Sequence, residues 1–183
     1  MTLHPQDVIV LLKLVANREQ NHWTYSALSK ELFMSPSQIF RAVARAEVAR
    51  LLTAPPPYVG NVEGISTSAK PNIGNLMEFL VHGVKYSFPV ERGAMTRGVP
   101  TAHAASPLNQ IIVQSSEAPP VWPFAEGRVR GTALLPLYKN APKASLRDPK
   151  LYEMLTLVDA IREGRARERD LAVRELNARV SAQ

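Results

Sequence analysis

The chain has 183 residues, 45% hydrophobic and 21% charged, with no cysteine and a net charge of +6. That length suits one domain with additions or two small ones, and the composition is that of a globular chain, not a disordered one. Disulfides and thiolate sites are excluded, and the long apolar run at residues 8–12 is stopped by Lys13, far too short to span a bilayer.

His4, Pro5, Gln6 and Asp7 read as a helix start, and Val8, Leu11, Leu12 and Val15 form an apolar stripe that Ile9 and Leu14 widen. Polar residues 17–21 end it. Trp23 and Tyr25 flank Thr24, an N-cap for a second helix, and Trp23 is expected to anchor the core between the two. Leu28, Leu32, Ile39, Val43, Ala46 and Leu51 are spaced as the inward faces of two crossing helices. Met34 and Ser35 leave only a tight turn between them, as a helix-turn-helix requires. Ser35 suits the N-cap and Pro36 the first helical position, where a missing N–H costs nothing.

The helix opening at Ser35 is expected to expose Ser37, Gln38, Phe40, Arg41 and Arg45, with no carboxylate before Glu47. Gln pairs with adenine and Arg with guanine, and Phe40 suits a thymine methyl. A recognition helix contacts bases mainly through its N-terminal residues. The alternative is a helical hairpin whose polar face is merely solvated.

Ala27, Leu28, Met34, Ser35, Ser37, Ile39, Arg41, Ala42 and Val43 stand where a known pattern has its fixed positions. Through them residues 24–52 resemble the helix-turn-helix of winged-helix bacterial regulators of the MarR and LysR kind. The resemblance implies a duplex-DNA-binding unit over residues 1–53, with Ser35, Ser37, Gln38, Phe40, Arg41 and Arg45 as its contacts. In that family a two-stranded wing with a basic tip follows. Here residues 54–58 are proline-rich, and residues 59–65 carry Glu63 and no Lys or Arg, so no DNA-contacting wing is expected at this place.

Residues 68–71 look like another helix start, and Ile73, Leu76, Met77, Leu80 and Val81 continue a helical spacing that His82 and Gly83 are expected to end. Residues 84–90 alternate like an edge strand. Beyond them Arg92-Gly93 and Arg97-Gly98 make a glycine-permitted basic loop. Arg92 and Arg97 either replace the wing at DNA or pair with nearby carboxylates. Residues 102–140 are proline-rich: 108–113 form a short apolar run, 118–123 are extended, and 129–135 are expected to pair with 84–88. Trp122 reads as a buried lid on that sheet, in preference to an exposed partner anchor. Residues 138–145 are a linker or turn. The middle part is therefore residues 54–140.

Residues 141–183 form a helical extension. Asp148 and Pro149 start a helix with Leu151, Met154, Leu155, Val158 and Ile161 on one face, and Gly164 stops or kinks it. A second helix follows from Arg165, with Asp170–Arg174 and Glu175–Arg179 in the favourable spacing. Its weak apolar face (Val173, Leu176 and Val180) is expected to lie poorly covered in a monomer, which suggests a homodimer. A solvated tail, phosphate contact and docking onto an acidic protein are the alternatives.

The basic excess sits at both ends: 6 Lys and Arg against 4 Asp and Glu in residues 1–52, 4 against 4 in 53–120, and 12 against 8 in 121–183. That suits an anionic partner. The histidines, His4, His22, His82 and His103, show no zinc spacing, and neither a nucleophile elbow nor a phosphate-binding glycine loop is present. No catalysis, metal or cofactor is expected. The sequence reads as an α-rich α+β winged helix-turn-helix protein with a small β-sheet, cytoplasmic, without a membrane segment, binding double-stranded DNA in transcriptional control. The alternatives are an antitoxin or interaction protein that neutralises a partner encoded nearby through its middle and C-terminal parts, and a helix-turn-helix that serves only as a docking scaffold.

Overall fold

The computed structural model describes residues 2–20, 22–53, 66–112 and 116–181. They fall into two units, Met1–Leu76 and Met77–Gln183, where the sequence suggested three parts divided after residues 53 and 140. The proline-rich exit at 54–58 and the 59–65 segment lie outside the described residues.

In the first unit, α1 (Pro5–Ala16) opens as expected, with Pro5 at its first position and the His4 N–H donating to Asp7 Oδ2 at 2.8 Å. Its apolar residues Val8 to Leu12, Leu14 and Val15 are all buried. Two residues of strand, β1 (Trp23–Thr24), lead into α2 (Tyr25–Leu32), whose N-cap Thr24 accepts from the Ala27 N–H at 3.0 Å. Trp23 is the expected core anchor: it is buried, its Nε1–H donates to the Ala69 carbonyl at 2.9 Å, and its ring meets Tyr25 edge-on. Three residues then turn the chain into α3 (Pro36–Val48). Phe33 takes a left-handed φ of 54°, and Met34 is tied back to Ser29 through both its N–H and its carbonyl.

The chain returns through β2 (Ser66–Thr67), antiparallel to β1 with Trp23 opposite Thr67. Lys70 to Asn72 then lie beside Leu51 to Thr53, held by Thr53 N–H to Lys70 O and Asn72 N–H to Leu51 O, each 2.8 Å. Residues 68–71 are therefore extended ribbon, not the expected helix start. Because they pair back onto β1 and the exit of α3, they belong to the first unit.

A helix, α4 (Ile73–Glu78), runs into a π-helical turn (Phe79–Gly83) and then α5 (Val84–Ser87). This corrects the expected strand at residues 84–90. Leu76, Leu80 and Val84 are fully buried four residues apart, so the helical period continues through His82 and Gly83 and overrides the local alternation. A side chain at Gly83 would place its Cβ 2.9 Å from the Phe79 ring, so glycine lets that ring close over the turn.

The Arg-Gly segment is likewise no loop. It is the long strand β3 (Arg92–Pro100), antiparallel to both β4 (Pro120–Pro123) and β5 (Val129–Leu134), which pair with each other in parallel and close a three-stranded barrel. Thus β5 pairs with β3 and β4, not with residues 84–88. The tight closure explains the glycine: a Cβ on Gly98 would lie 2.0 Å from the Trp122 carbonyl oxygen. A 3-10 turn (Ala102–Ala104) and short α6 (Leu108–Ile111) follow β3, and α7 (Ala141–Ser145) occupies part of the expected linker.

Asp148 accepts from the Leu151 N–H at 3.0 Å to cap α8 (Pro149–Glu163), and α9 (Ala166–Ser181) packs against it. Leu151, Leu155, Val158 and Ile161 are buried, and so are Ala172, Leu176 and Val180. These helices lie in the second unit, and of the stripe that suggested a dimer Leu176 and Val180 are buried while Val173 is half-buried. One buried carboxylate ties α8 to the barrel: Asp159 Oδ2 accepts from Thr101 Oγ1 at 2.8 Å and Trp122 Nε1 at 2.6 Å, while Oδ1 receives Arg162 at 2.6 Å. Burial raises the Asp159 pKa, opposed by Arg162 and the hydrogen bonds. Trp122 is buried as the lid reading expected. Among the described residues no helix is long and apolar enough to cross a membrane.

Candidate nucleic-acid interface

The chemistry of α3 begins at its capped end. Ser35 Oγ accepts from the Gln38 N–H at 3.2 Å, and Gln38 Oε1 accepts from the Ser35 N–H at 2.9 Å, a reciprocal capping box. Two N-terminal donors are satisfied, which fixes the first turn. The same bonds occupy Gln38 Oε1, the atom that a bidentate adenine contact would use as acceptor. Gln38 offers a base edge its amide group only in part unless the cap opens.

Ser37 and Arg41 lie exposed on the outer face as expected, beside exposed Ser35. Phe40 is half-buried, its ring 5.7 Å from that of Tyr25, so part of it belongs to the α2–α3 packing. Burial of Tyr25, with Glu47 adding repulsion, pushes that phenol up to about 12.

Arg45 is the main correction. It was expected one turn beyond Arg41 on the exposed face, but it is 7% exposed and makes two hydrogen bonds to Asp7, Nε to Oδ2 at 2.7 Å and Nη2 to Oδ1 at 2.6 Å. The physical reason is tertiary. The far half of α3 packs on α1, where Asp7, itself 1% exposed, presents both oxygens to the guanidinium. The hydrogen bond to Asp7 raises the Arg45 pKa. A second pair, Lys13 to Glu31 at 2.8 Å, joins α1 to α2. The candidate surface is thus shorter than the sequence suggested, and consists of Ser35, Ser37, Gln38 and Arg41.

The two other expected contacts, Arg92 and Arg97, lie in the Met77–Gln183 unit. Arg92 is ion-paired with Glu163, near a cleft of about 50 Å³ that His103, Glu117, Arg165 and Glu168 also line. This matches the carboxylate-pairing alternative for Arg92. Arg97 is exposed and stands directly opposite exposed Arg130 across the β3–β5 pair. Sequence reading missed that pairing, because register between distant strands leaves no local signal. It also passed over Asp7, whose place on the apolar stripe four residues before Leu11 was the available clue. Among the described residues no cluster of three or more His, Asp or Glu could hold a metal ion.

Comparison of the chain with protein-family models, with curated proteins and with solved structures finds no match.

Proposed function

We propose that the Met1–Leu76 unit is a winged-helix-like duplex-DNA-binding module of a transcriptional regulator, with α3 as its recognition helix. The observation that carries this reading is the capped N-terminal end of α3, which follows α2 after a three-residue turn and presents Ser37 and Arg41 outward on its first two turns. Helix α1 and the short β1–β2 ribbon brace this pair.

Charge supports it. Residues 1–52 carry 6 Lys and Arg against 4 Asp and Glu, and Arg41 lies exposed among them. Arg41 is placed to bond a guanine or a phosphate, and Ser35 and Ser37 to donate hydroxyls to the backbone beside it. The helix N-terminus itself favours an anion there.

The test is fluorescence anisotropy on a pool of randomised duplexes over a salt series. Arg41→Ala should weaken binding, and the salt slope should fall by about 1 if Arg41 meets a phosphate. Binding by the wild type that is salt-independent, or equal binding by a folded Ser37→Ala/Arg41→Ala variant, would remove α3 as the reading element.

A further inference from the structure

The Met77–Gln183 unit carries an open groove of about 530 Å³ between two helical walls. The π-helical turn and the start of α5 supply Val81, His82 and Lys85 on one side. From α9 come Arg169, Asp170, Val173 and Arg174 on the other. Val81 and Val173 are half-buried and form an apolar floor beside the fully covered stripe of Ala172, Leu176 and Val180. The rim is cationic, with Lys85, Arg169 and Arg174 against the single carboxylate of Asp170. Arg174 Nε reaches the Asp170 backbone carbonyl at 3.4 Å, so their side chains do not neutralise each other through that bond. Such π-helical turns are frequent at functional sites. This one keeps the α4–α5 core stripe in place while presenting Val81 and His82 to the groove.

We propose that this groove docks an acidic amphipathic helix of another protein. Apolar residues one turn apart on that helix would seat on Val81 and Val173, and flanking carboxylates would meet Lys85, Arg169 and Arg174. A trough between two helices with an apolar floor and a charged rim is the shape that receives a helix face-down. Nucleic acid fits less well. No aromatic ring is among the lining residues to stack a base, and the apolar floor of Val81 and Val173 has no counterpart on a phosphate backbone. A second copy offering the same face would bring cations against cations. The inference uses no residue of the DNA-binding reading and stands or falls separately from it.

A display library of helical peptides panned against the full chain tests it. Enriched peptides should carry apolar residues at i, i+4 and i+7 flanked by Asp and Glu. A synthetic copy of an enriched peptide should shift the backbone NMR signals of residues 81–85 and 169–174. Lys85→Glu/Arg169→Glu/Arg174→Glu should weaken it by about tenfold or more, as reversal of rim charges does. Val173→Asp, a change at the floor, should do so without charge reversal at the rim, and unchanged circular dichroism in each variant excludes unfolding. The proposal is overturned if enriched peptides lack the acidic pattern, if charge reversal leaves their affinity unchanged, or if their shifts map elsewhere. It is equally overturned if a single-stranded oligonucleotide shifts the same residues and displaces the peptide, which would make the groove a nucleic-acid surface.

Discussion

Arg45→Ala should unfold the first unit before it affects any ligand. The substitution leaves the Asp7 carboxylate, 1% exposed, with one backbone donor from His4 in place of three donors. Removing one end of a buried ion pair costs about 3–5 kcal/mol, because the other charge stays buried without compensation. Small domains have about 5–15 kcal/mol in total, so this loss consumes much of the stability. Arg45→Lys keeps the charge but not the planar fork that meets both oxygens, and should fall between alanine and wild type. Asp7→Leu/Arg45→Leu, which removes both charges, should cost less than Arg45→Ala alone. Each unit holds one of the two tryptophans, Trp23 in the first and Trp122 in the second. Fluorine-labelled tryptophan therefore gives one NMR resonance per unit, and the Trp23 signal in a urea titration reads the first unit alone. A Trp23 transition for Arg45→Ala within about 0.5 kcal/mol of wild type, the range of ordinary surface substitutions, would refute the buried pair.

Three further outcomes follow from the same geometry. Burial pushes both Tyr25 and Tyr152 up to about 12. An unfolded chain releases these protons near 10, so both groups withdraw stability as pH rises from 10 towards 12 and do not affect it below 10. Ultraviolet titration of the folded protein should show a late tyrosine class that denaturant moves back to about 10; a single class in native protein contradicts the burial. Asp159→Ala leaves the Trp122 N–H and the Thr101 hydroxyl without their acceptor and the Arg162 guanidinium with only backbone carbonyls, and should lower the stability of the second unit by about 3–5 kcal/mol on the Trp122 resonance. A loss below about 1 kcal/mol would show that the carboxylate is solvated. Gly98→Ala should prevent closure of the barrel and abolish the native Trp122 resonance, since its Cβ meets the Trp122 carbonyl oxygen at 2.0 Å; a native spectrum would contradict the close approach of β3 and β4.

Local chemistry made the helix boundaries legible. Thr24, Ser35 with Pro36, and Asp148 with Pro149 each supply a cap or a fixed first φ, and each helix starts there. Period placed the inward residues of α2 and α3, because burial of one stripe is a local property of a helix, whereas α1 and α8 are buried beyond the expected stripe, at Val10 and at Thr156, Leu157 and Ala160. What failed depended on partners far along the chain. Arg45 shares a helical face with Gln38 and Arg41, and only the crossing of α1, with Asp7 in it, turns its half of that face into core. The barrel was missed for a similar reason. Gly93 and Gly98 read as loop residues, whereas Gly98 is where two strands approach too closely for a side chain, a requirement visible only once β4 is in place. The alternation at residues 84–88 misled in the opposite direction: Val84 continues the Leu76–Leu80 stripe, while Tyr86 is 77% exposed. Of the candidate interface, the capped turn with Ser35, Ser37 and Arg41 was readable from sequence, and the commitment of Gln38 to the cap was implicit in its spacing from Ser35.

The central claim is that the first two turns of α3 read duplex DNA, and selection from a randomised duplex library tests it most directly. The full chain should enrich a defined motif, and a folded Arg41→Ala protein should lose preference at one position of it, by about 1–3 kcal/mol if Arg41 bonds a guanine. No enrichment by the wild type, or the same motif at the same strength from a folded Ser37→Ala/Arg41→Ala protein, would contradict the account.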